Sequence, residues 1–227
     1  MEESDMTSTS EGVRHIYSKS AQRYDILLRA YKVLGVNLEK WRRAAISRLP
    51  QQSRPRILEV GIGTGKNLPH LISKFPDYEE IVGLDYTPEM LVRCRHQVKR
   101  LGWDNIRLKL GDARKLTKYV EGQFDLIIST YSLSIIPNSP KVLIETKQLM
   151  SDETYLLLLD CQKFKGLLRI YNPLAILLST RLGGSNETYS IPVSNIANSM
   201  FNSVYRRELY SGLFYEDLYQ GIKSSQK

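Results

Sequence analysis

The fold is decided by one stretch of the sequence, Ile57-Leu58-Glu59-Val60-Gly61-Ile62-Gly63-Thr64-Gly65. Its first half is a short, mostly apolar run typical of a buried strand, and three glycines at alternate positions end that run. A glycine-rich turn directly after a buried strand allows the main chain to come close to a ligand, where a Cβ atom would clash. By itself the pattern predicts only a nucleotide-like ligand at the end of a strand, because several classes of nucleotide-binding protein share it.

The rest of the chain alternates between strand and helix patterns. We predict strands at 56–60, 80–85, 106–110, 124–130 and 154–160, with helices at 66–75, 88–101 and 139–150. Two tyrosine-rich runs at 203–210 and 213–219 predict a closing β-hairpin. Strands that alternate with helices of this length form a parallel sheet that is covered on both faces. The predicted fold class is α/β, a doubly wound, Rossmann-like, seven-stranded sheet that is mostly parallel and ends in an antiparallel hairpin.

We expect one such domain preceded by a helical N-terminal region. Residues 1–11 predict a disordered tail, residues 12–50 a helical lid, and residues 51–227 the α/β domain, with an insertion at about 161–202. Between Gly12 and Leu49 there are nine lysines and arginines but only two acids. Such an excess suits an anionic membrane surface or a phosphorylated partner, and also an ordinary solvated helix face.

Features that would place the protein outside the cytoplasm are missing from the sequence. It has neither the apolar core of a signal peptide nor an apolar segment of about 20 residues. Cys94 and Cys161 have no metal-ligand or redox spacing, so we predict reduced thiols and no metal site. A cytoplasmic protein is expected, either free or peripheral at a membrane.

Two further motifs follow the next predicted strands. Asp85 ends the second strand, where a carboxylate can accept hydrogen bonds from ribose hydroxyls, and Gly111-Asp112-Ala113 follows the third, where a carboxylate can bind an adenine amino group. The glycine spacing is G-x-G-x-G and not G-x-G-x-x-G, and Lys66 is not followed by the Ser or Thr of a P-loop. These residues are expected to meet at one edge of the sheet, because that edge collects the carboxyl ends of parallel strands.

In this order and at these intervals, the motifs resemble those of class I S-adenosylmethionine-dependent methyltransferases. The residues that carry the resemblance are Glu59-x-Gly61-x-Gly63-x-Gly65, Asp85, Gly111-Asp112-Ala113 and Phe124-Asp125-Leu126-Ile127. The resemblance covers about residues 56–160. It implies an enzyme that uses S-adenosylmethionine as its cofactor and releases S-adenosylhomocysteine.

The resemblance also implies which residues bind the cofactor. At the methionine end they are Gly61 and Gly63 beneath the methionine, Glu59 orienting their loop and facing the sulfonium, Asn67 in the first turn of the next helix, and Ser129 after the fourth strand. At the nucleoside end they are Asp85 on the ribose, Tyr86 beside the adenine, and Asp112 with Ala113 at its amino edge.

The segment Ile16-Tyr17-Ser18-Lys19-Ser20-Ala21-Gln22-Arg23-Tyr24-Asp25 is similar to the entry helix of two related groups. These are the ubiquinone/menaquinone C-methyltransferases and the soluble bacterial phosphatidylethanolamine N-methyltransferases. The similarity implies that Tyr17 lies near the transferable methyl group and that Tyr24 binds the cofactor near its methionine carboxylate. An amphipathic helix that packs its tyrosines on the core would explain the same residues.

The segment Thr130-Tyr131-Ser132-Leu133-Ser134-Ile135-Ile136-Pro137 resembles the phospholipid group more closely, as do landmarks at 172–174, 181–184 and 210–214. Met150-Ser151-Asp152-Glu153 departs from the usual Leu-x-Pro-Gly-Gly, which puts the subgroup in doubt but not the class. The leading prediction is N-methylation of a lipid or amphiphilic amine, with Tyr17 and Tyr131 as candidate catalytic residues. The alternative is C- or O-methylation of a quinone or another small molecule.

Other observations bear on the acceptor and partners. Methylation of carbon or oxygen usually needs a general base, and none of the three histidines follows the fourth strand, which favours an amine. The apolar stretch at 167–178 has basic flanks and suits either contact with an anionic bilayer or a cap over the active site. We expect no nucleic-acid partner, because the Asn/Asp-Pro-Pro-aromatic motif that holds a flipped base is missing after the fourth strand. The oligomeric state stays open.

Overall fold

A computed structural model describes residues 37–164, 166–173, 176–177 and 190–223. Its helices are α1 (Leu38–Arg48), α2 (Leu68–Lys74), α3 (Pro88–Leu101), α4 (Ser139–Gln148) and α5 (Val193–Met200), with 3₁₀ turns at Ala113–Lys118 and Gly166–Tyr171. Its strands are β1 (Arg56–Val60), β2 (Glu80–Asp85), β3 (Ile106–Leu110), β4 (Leu126–Thr130), β5 (Tyr155–Cys161), β6 (Phe201–Leu209) and β7 (Phe214–Ile222).

The seven strands form one sheet in the order β3-β2-β1-β4-β5-β7-β6. The first five are parallel, and β7 runs antiparallel between β5 and β6. The predicted doubly wound sheet with an antiparallel hairpin is confirmed. The hairpin strands extend beyond the predicted bounds because β7 pairs on both sides, so that its ladder continues to Gln220 opposite Tyr155 and to Ile222 opposite Phe201.

Two apolar cores lie on opposite faces of the sheet. Alternate residues of β1 point to opposite faces, so Ile57 belongs to one core and Leu58 to the other. Helix α1 packs Ala45 and Ile46 into the first core. At the other end of α1, Arg48 pairs with the buried Glu216 of β7, with 2.7 Å between Nη1 and Oε1. The last helix of the predicted lid is therefore attached to the sheet.

Tyr17 and Tyr24 lie outside the described residues, as do the predicted tail, the first helix of the lid and much of the predicted insertion. Within the part of the chain that is described, no helix is long and apolar enough to cross a membrane.

Candidate active site

A cavity of about 400 Å³ opens at the carboxyl ends of the central parallel strands. The loops that follow four neighbouring strands line it, and one side chain from α1, Arg42, joins them. This is the position at which open α/β sheets bind ligands. Predicted site residues that line the cavity are Glu59, Gly61, Gly63, Asp85, Tyr86, Asp112, Ala113 and Tyr131. The structure thus brings together side chains from four separate strand ends.

The glycine loop is held against the end of β2 by main-chain contacts. The amides of Gly61 and Ile62 both donate to the carbonyl of Leu84. Gly61 has φ +76°, and a Cβ added there would lie 2.5 Å from the Cβ of Ser132. The loop therefore passes so close to the turn after β4 that only glycine fits at this position.

Asp85 ties the glycine loop to the end of β2. Its Oδ2 accepts from the amide of Gly63 at 2.8 Å, and its Oδ1 accepts from the amide of Thr87 at 2.9 Å. Burial raises the pKa of Asp85, and these amide donors oppose the rise. The carboxylate is thus fixed in one orientation at the cavity wall, as a ligand for vicinal hydroxyls requires.

Asp112 has a structural role beside its predicted one. Its side chain accepts from the amide of Arg114 at 2.9 Å, which caps the first 3₁₀ turn, and it pairs with the Arg114 guanidinium at 2.7 Å. Burial alone would raise the pKa of Asp112, but the hydrogen bonds and charge of Arg114 hold it below its usual value. The carboxylate therefore stays ionised at the end of the cavity where adenine is predicted.

The opposite end of the cavity contains a buried polar cluster. The Asn67 Nδ2 donates to Glu59 Oε1 at 2.7 Å and to Thr130 Oγ1 at 3.0 Å, while its Oδ1 accepts from Arg42 Nη1 at 2.7 Å. Asn67 is fully buried behind these groups and is not among the residues that line the cavity, so the structure shows it supporting Glu59 and Arg42, and its direct contact with the cofactor stays a prediction. Ser129 is also displaced from the wall, because its hydroxyl bonds to that of Ser132 at 2.6 Å and Ser132 lines the cavity instead.

Glu59 is the acid of this cluster, and one of its two carboxylate oxygens lacks a hydrogen-bond partner among the described residues. That oxygen, Oε2, is buried. Burial raises the pKa of Glu59 from 4.5 to about 8, although the charge of Arg42 and the hydrogen bond from Asn67 oppose the rise. A buried polar atom without a partner is rare, and one at a cavity wall indicates where a ligand donor belongs.

With this geometry established, comparison with known proteins decides the class. The profile described as a methyltransferase domain matches residues 51–190, more than half of the chain. The chain belongs to the methyltransferase-domain family. The prediction of a class I S-adenosylmethionine-dependent methyltransferase is confirmed.

Both groups that the sequence resembles occur among the relatives of this methyltransferase. The ubiquinone/menaquinone biosynthesis C-methyltransferase of Citrifermentans bemidjiense is 26% identical over 191 residues, which cover 82% of this chain and 79% of that protein. The demethylmenaquinone methyltransferase of Deinococcus radiodurans is 31% identical over 159 residues, covering 69% and 63%. A phosphatidylethanolamine N-methyltransferase of Cereibacter sphaeroides is 33% identical over 91 residues, covering 40% and 42%. The quinone enzymes thus match over more of the chain.

Among solved structures, the mitomycin 7-O-methyltransferase superposes with a TM-score of 0.67 at 14% identity. The match covers 92% of this chain and 60% of that one, so this methyltransferase spans less than two thirds of its structural neighbour. The similarity supports the fold.

Tyr131 of the methyltransferase faces α1. Its backbone has φ +54°, and its hydroxyl donates to the carbonyl of Leu38 at 3.1 Å. Its ring lies under the Arg42 guanidinium, with 5.1 Å to the ring centroid, and meets Phe214 edge-on. These contacts make Tyr131 a support for α1, whereas its predicted catalytic role remains a prediction.

Two residues that shape the cavity were not predicted from the sequence. Arg42 occupies the buried face of α1 together with Ala45 and Ile46, and an arginine on an otherwise apolar helix face was the available signal. Asp160 is the penultimate residue of β5, and the sequence pattern predicts only a strand there. Its carboxylate accepts from the Ser134 hydroxyl at 2.5 Å and from the Ser134 amide at 3.1 Å, which fixes the loop after β4.

Proposed function

We propose that this methyltransferase transfers the methyl group of S-adenosylmethionine to the nitrogen of a lipid or amphiphilic amine. The observation that carries the proposal is an apolar wall beside the cofactor residues, formed by Ile135, Ile136 and Pro137. This wall suits the hydrocarbon part of an acceptor. Asp160 supports the wall from beneath through Ser134.

The residues at the two ends of the cavity suit different ends of the cofactor, the nucleoside at one and the methionine moiety at the other. The ionised Asp112 and the oriented Asp85 suit the adenine amino group and the ribose hydroxyls, with Tyr86 and Ala113 beside them. At the other end, the unpartnered Oε2 of Glu59 suits the α-ammonium group of the methionine moiety. These residues would hold the two ends of the cofactor, and the methyl group that it supplies would be presented between them, beside the apolar wall.

S-adenosylmethionine supplies a methyl group that its sulfonium already activates for in-line displacement. The protein's contribution is therefore to position both partners and to exclude water. In this proposal Asp85 and Glu59 fix the two ends of the cofactor, and the apolar wall holds the acceptor in line. The acceptor amine must first lose its proton, which water can accept.

The choice of an amine rests on the groups that face the wall. Within the described part of the chain, no histidine lines the cavity: His70 pairs with Glu39 at 2.6 Å, and His96 is exposed on α3. Glu59 and Asp85 already have tasks at the ends of the cofactor. A neutral amine attacks without a general base, whereas a quinol carbon usually needs one.

Methylation of a quinol ring carbon is the second candidate. It is favoured by the wider match to quinone C-methyltransferases, which extends over 82% of this chain against 40% for the phosphatidylethanolamine enzyme. The same apolar wall accommodates the isoprenoid side of such an acceptor.

An incubation with labelled S-adenosylmethionine separates the candidates. Purified protein receives vesicles containing phosphatidylethanolamine, a demethylated menaquinol, or a water-soluble amine such as ethanolamine. Label in the phospholipid supports the proposal, and label in the quinol establishes the second candidate. Label only in the water-soluble amine overturns both.

We also propose that the 3₁₀ turn Gly166–Tyr171 contacts the membrane that presents the acceptor. Leu167 is 92% exposed and Ile170 is 75% exposed, and the exposed Arg169 lies between them. Exposed apolar side chains with a basic neighbour suit an anionic bilayer surface.

Vesicle sedimentation tests this contact. The double variant L167S/I170S should lose most of the binding to phosphatidylglycerol vesicles at low salt. The matched control is V92S, which removes a 60% exposed apolar side chain from α3 and should bind like the unmodified protein. Equal binding by all three proteins would contradict the assignment.

A further inference from the structure

Arg42 is a cation buried at the wall of the cavity. It comes from α1, is only 7% exposed and lines the cavity with residues of the sheet. Its Nη1 donates to Asn67 Oδ1 and to Thr130 Oγ1, each at 2.7 Å. These contacts, together with the Tyr131 ring beneath, fix the plane of the guanidinium.

The hydrogen-bond partners of Arg42 carry no charge, and its one ion pair within the described part of the chain is with an exposed acid. Asn67 and Thr130 are uncharged, and the Nε of Arg42 has no hydrogen-bond partner among the described residues. The nearest acid is Glu39, whose Oε2 is 3.5 Å from Nε and whose side chain is 60% exposed. An ion pair with an exposed acid is weakened by solvent, so an anion in the cavity would stabilise this buried guanidinium further.

Asn67 separates Arg42 from Glu59. Its Oδ1 accepts from Arg42 and its Nδ2 donates to Glu59, so a buried cation and a buried acid lie on either side of one amide. Each retains an unpartnered buried atom, Nε and Oε2 respectively, among the described residues. A ligand that carries one cationic and one anionic group on the same carbon atom would suit both.

We propose that Arg42 binds the α-carboxylate of the cofactor's methionine moiety while Glu59 binds its α-ammonium group. The assignment rests on S-adenosylmethionine as cofactor and on the proposed direction of binding, but not on the identity of the acceptor. It makes α1 part of the cofactor site. Since α1 is attached to β7 through Arg48 and Glu216, the hairpin end of the sheet also supports cofactor binding.

The test compares two ligands that differ only in the carboxylate, S-adenosylhomocysteine and its decarboxylated analogue. Calorimetry on the unmodified protein should show about a 10- to 100-fold preference for the carboxylate ligand, as expected for a charged hydrogen bond. In R42M the two ligands should bind within about threefold of each other. The matched control is R43M, which removes the same charge from an exposed position of α1 and should retain the preference.

The comparison of ligands separates binding from folding. A purely structural role would weaken both ligands equally in R42M and leave the preference intact, which would overturn the proposal. R42K keeps the charge but not the planar fork of the guanidinium, so its preference for the carboxylate ligand should be intermediate. If R42M does not fold, R42K supplies the same test. Failure of the unmodified protein to bind either ligand would refute the cofactor assignment and not the role of Arg42 alone.

Discussion

The most direct prediction concerns the proton on Glu59. Burial raises the pKa of this carboxyl to about 8, so roughly 90% of the molecules carry the proton at pH 7 before cofactor binds. An α-ammonium group beside Oε2 would favour the ionised form. Binding of S-adenosylmethionine at pH 7 should therefore release up to about 0.9 proton per site, falling to about half a proton at pH 8.

Calorimetry in two buffers of different ionisation enthalpy measures this release. The variant E59Q retains an oxygen that can accept from Asn67 but has no proton to release, so its binding enthalpy should not depend on the buffer. E121Q, which neutralises an exposed acid, should release as many protons as the unmodified protein. Binding without proton release at pH 7, or equal release by E59Q, would refute the proposed contact.

The same pKa predicts the stability of the protein without cofactor. Because the folded-state pKa lies above the ordinary value of 4.5, Glu59 favours the folded state at low pH, and this contribution is lost as the pH rises through about 8. At about 1.4 kcal/mol per pH unit, ionising the buried Glu59 disfavours folding by at most about 5 kcal/mol. Relative to the unmodified protein, E59Q should thus gain stability between pH 5 and pH 9 in urea unfolding.

Three further predictions follow from named contacts. D85A should lower the affinity for S-adenosylmethionine about 10- to 100-fold by calorimetry, because a charged acceptor for the ribose is lost. G61A should lower the free energy of unfolding by about 2–4 kcal/mol, since alanine is strained at φ +76° and its Cβ would lie 2.5 Å from that of Ser132. R48M should lower it by about 2 kcal/mol at pH 8 and by less at pH 5, because the buried Glu216 loses the nearer of its two arginine partners; burial raises the pKa of Glu216, and Arg48 and Arg207 oppose the rise.

Each of these predictions has a control variant or a result that would contradict it. G63A has more space than G61A, because no atom lies within 4 Å of the added Cβ, so it should lose less stability than G61A despite its φ of +55°. R43M controls for the loss of a positive charge from α1. Unchanged cofactor binding in D85A would remove Asp85 from the ribose site. A pH-independent loss in R48M would show that packing, not charge, accounts for its effect.

Much of the fold and half of the site follow from local sequence. The bounds of β1, β2, β3 and α3 agree with the predicted ones, because short strand-like runs between polar or turn residues and an amphipathic helix that begins at a proline are strong local signals. The cavity residues that follow β1, β2 and β3 were predictable for a related reason. Parallel strands deliver their carboxyl ends to one edge, so Glu59, Asp85 and Asp112 must converge once the strands are known.

The sequence could not predict contacts between residues that lie far apart along the chain. Arg42 and Thr130 are 88 residues apart, and only the packing of α1 brings the guanidinium to the cavity. Asn67 and Ser129 have the expected positions on the chain but lie behind the wall, because their polar atoms are used by buried neighbours.

The glycine loop itself shows the division between sequence and tertiary structure. The sequence determined that Gly61 and Gly63 follow a buried strand and that an acidic residue, Asp85, ends the next strand, since both are matters of spacing along the chain. The tertiary structure decided why Gly61 must be glycine, because Ser132 of a distant strand end lies where its Cβ would be. It also decided the charge state of Glu59, because burial depends on everything packed around a side chain and not on its neighbours in sequence.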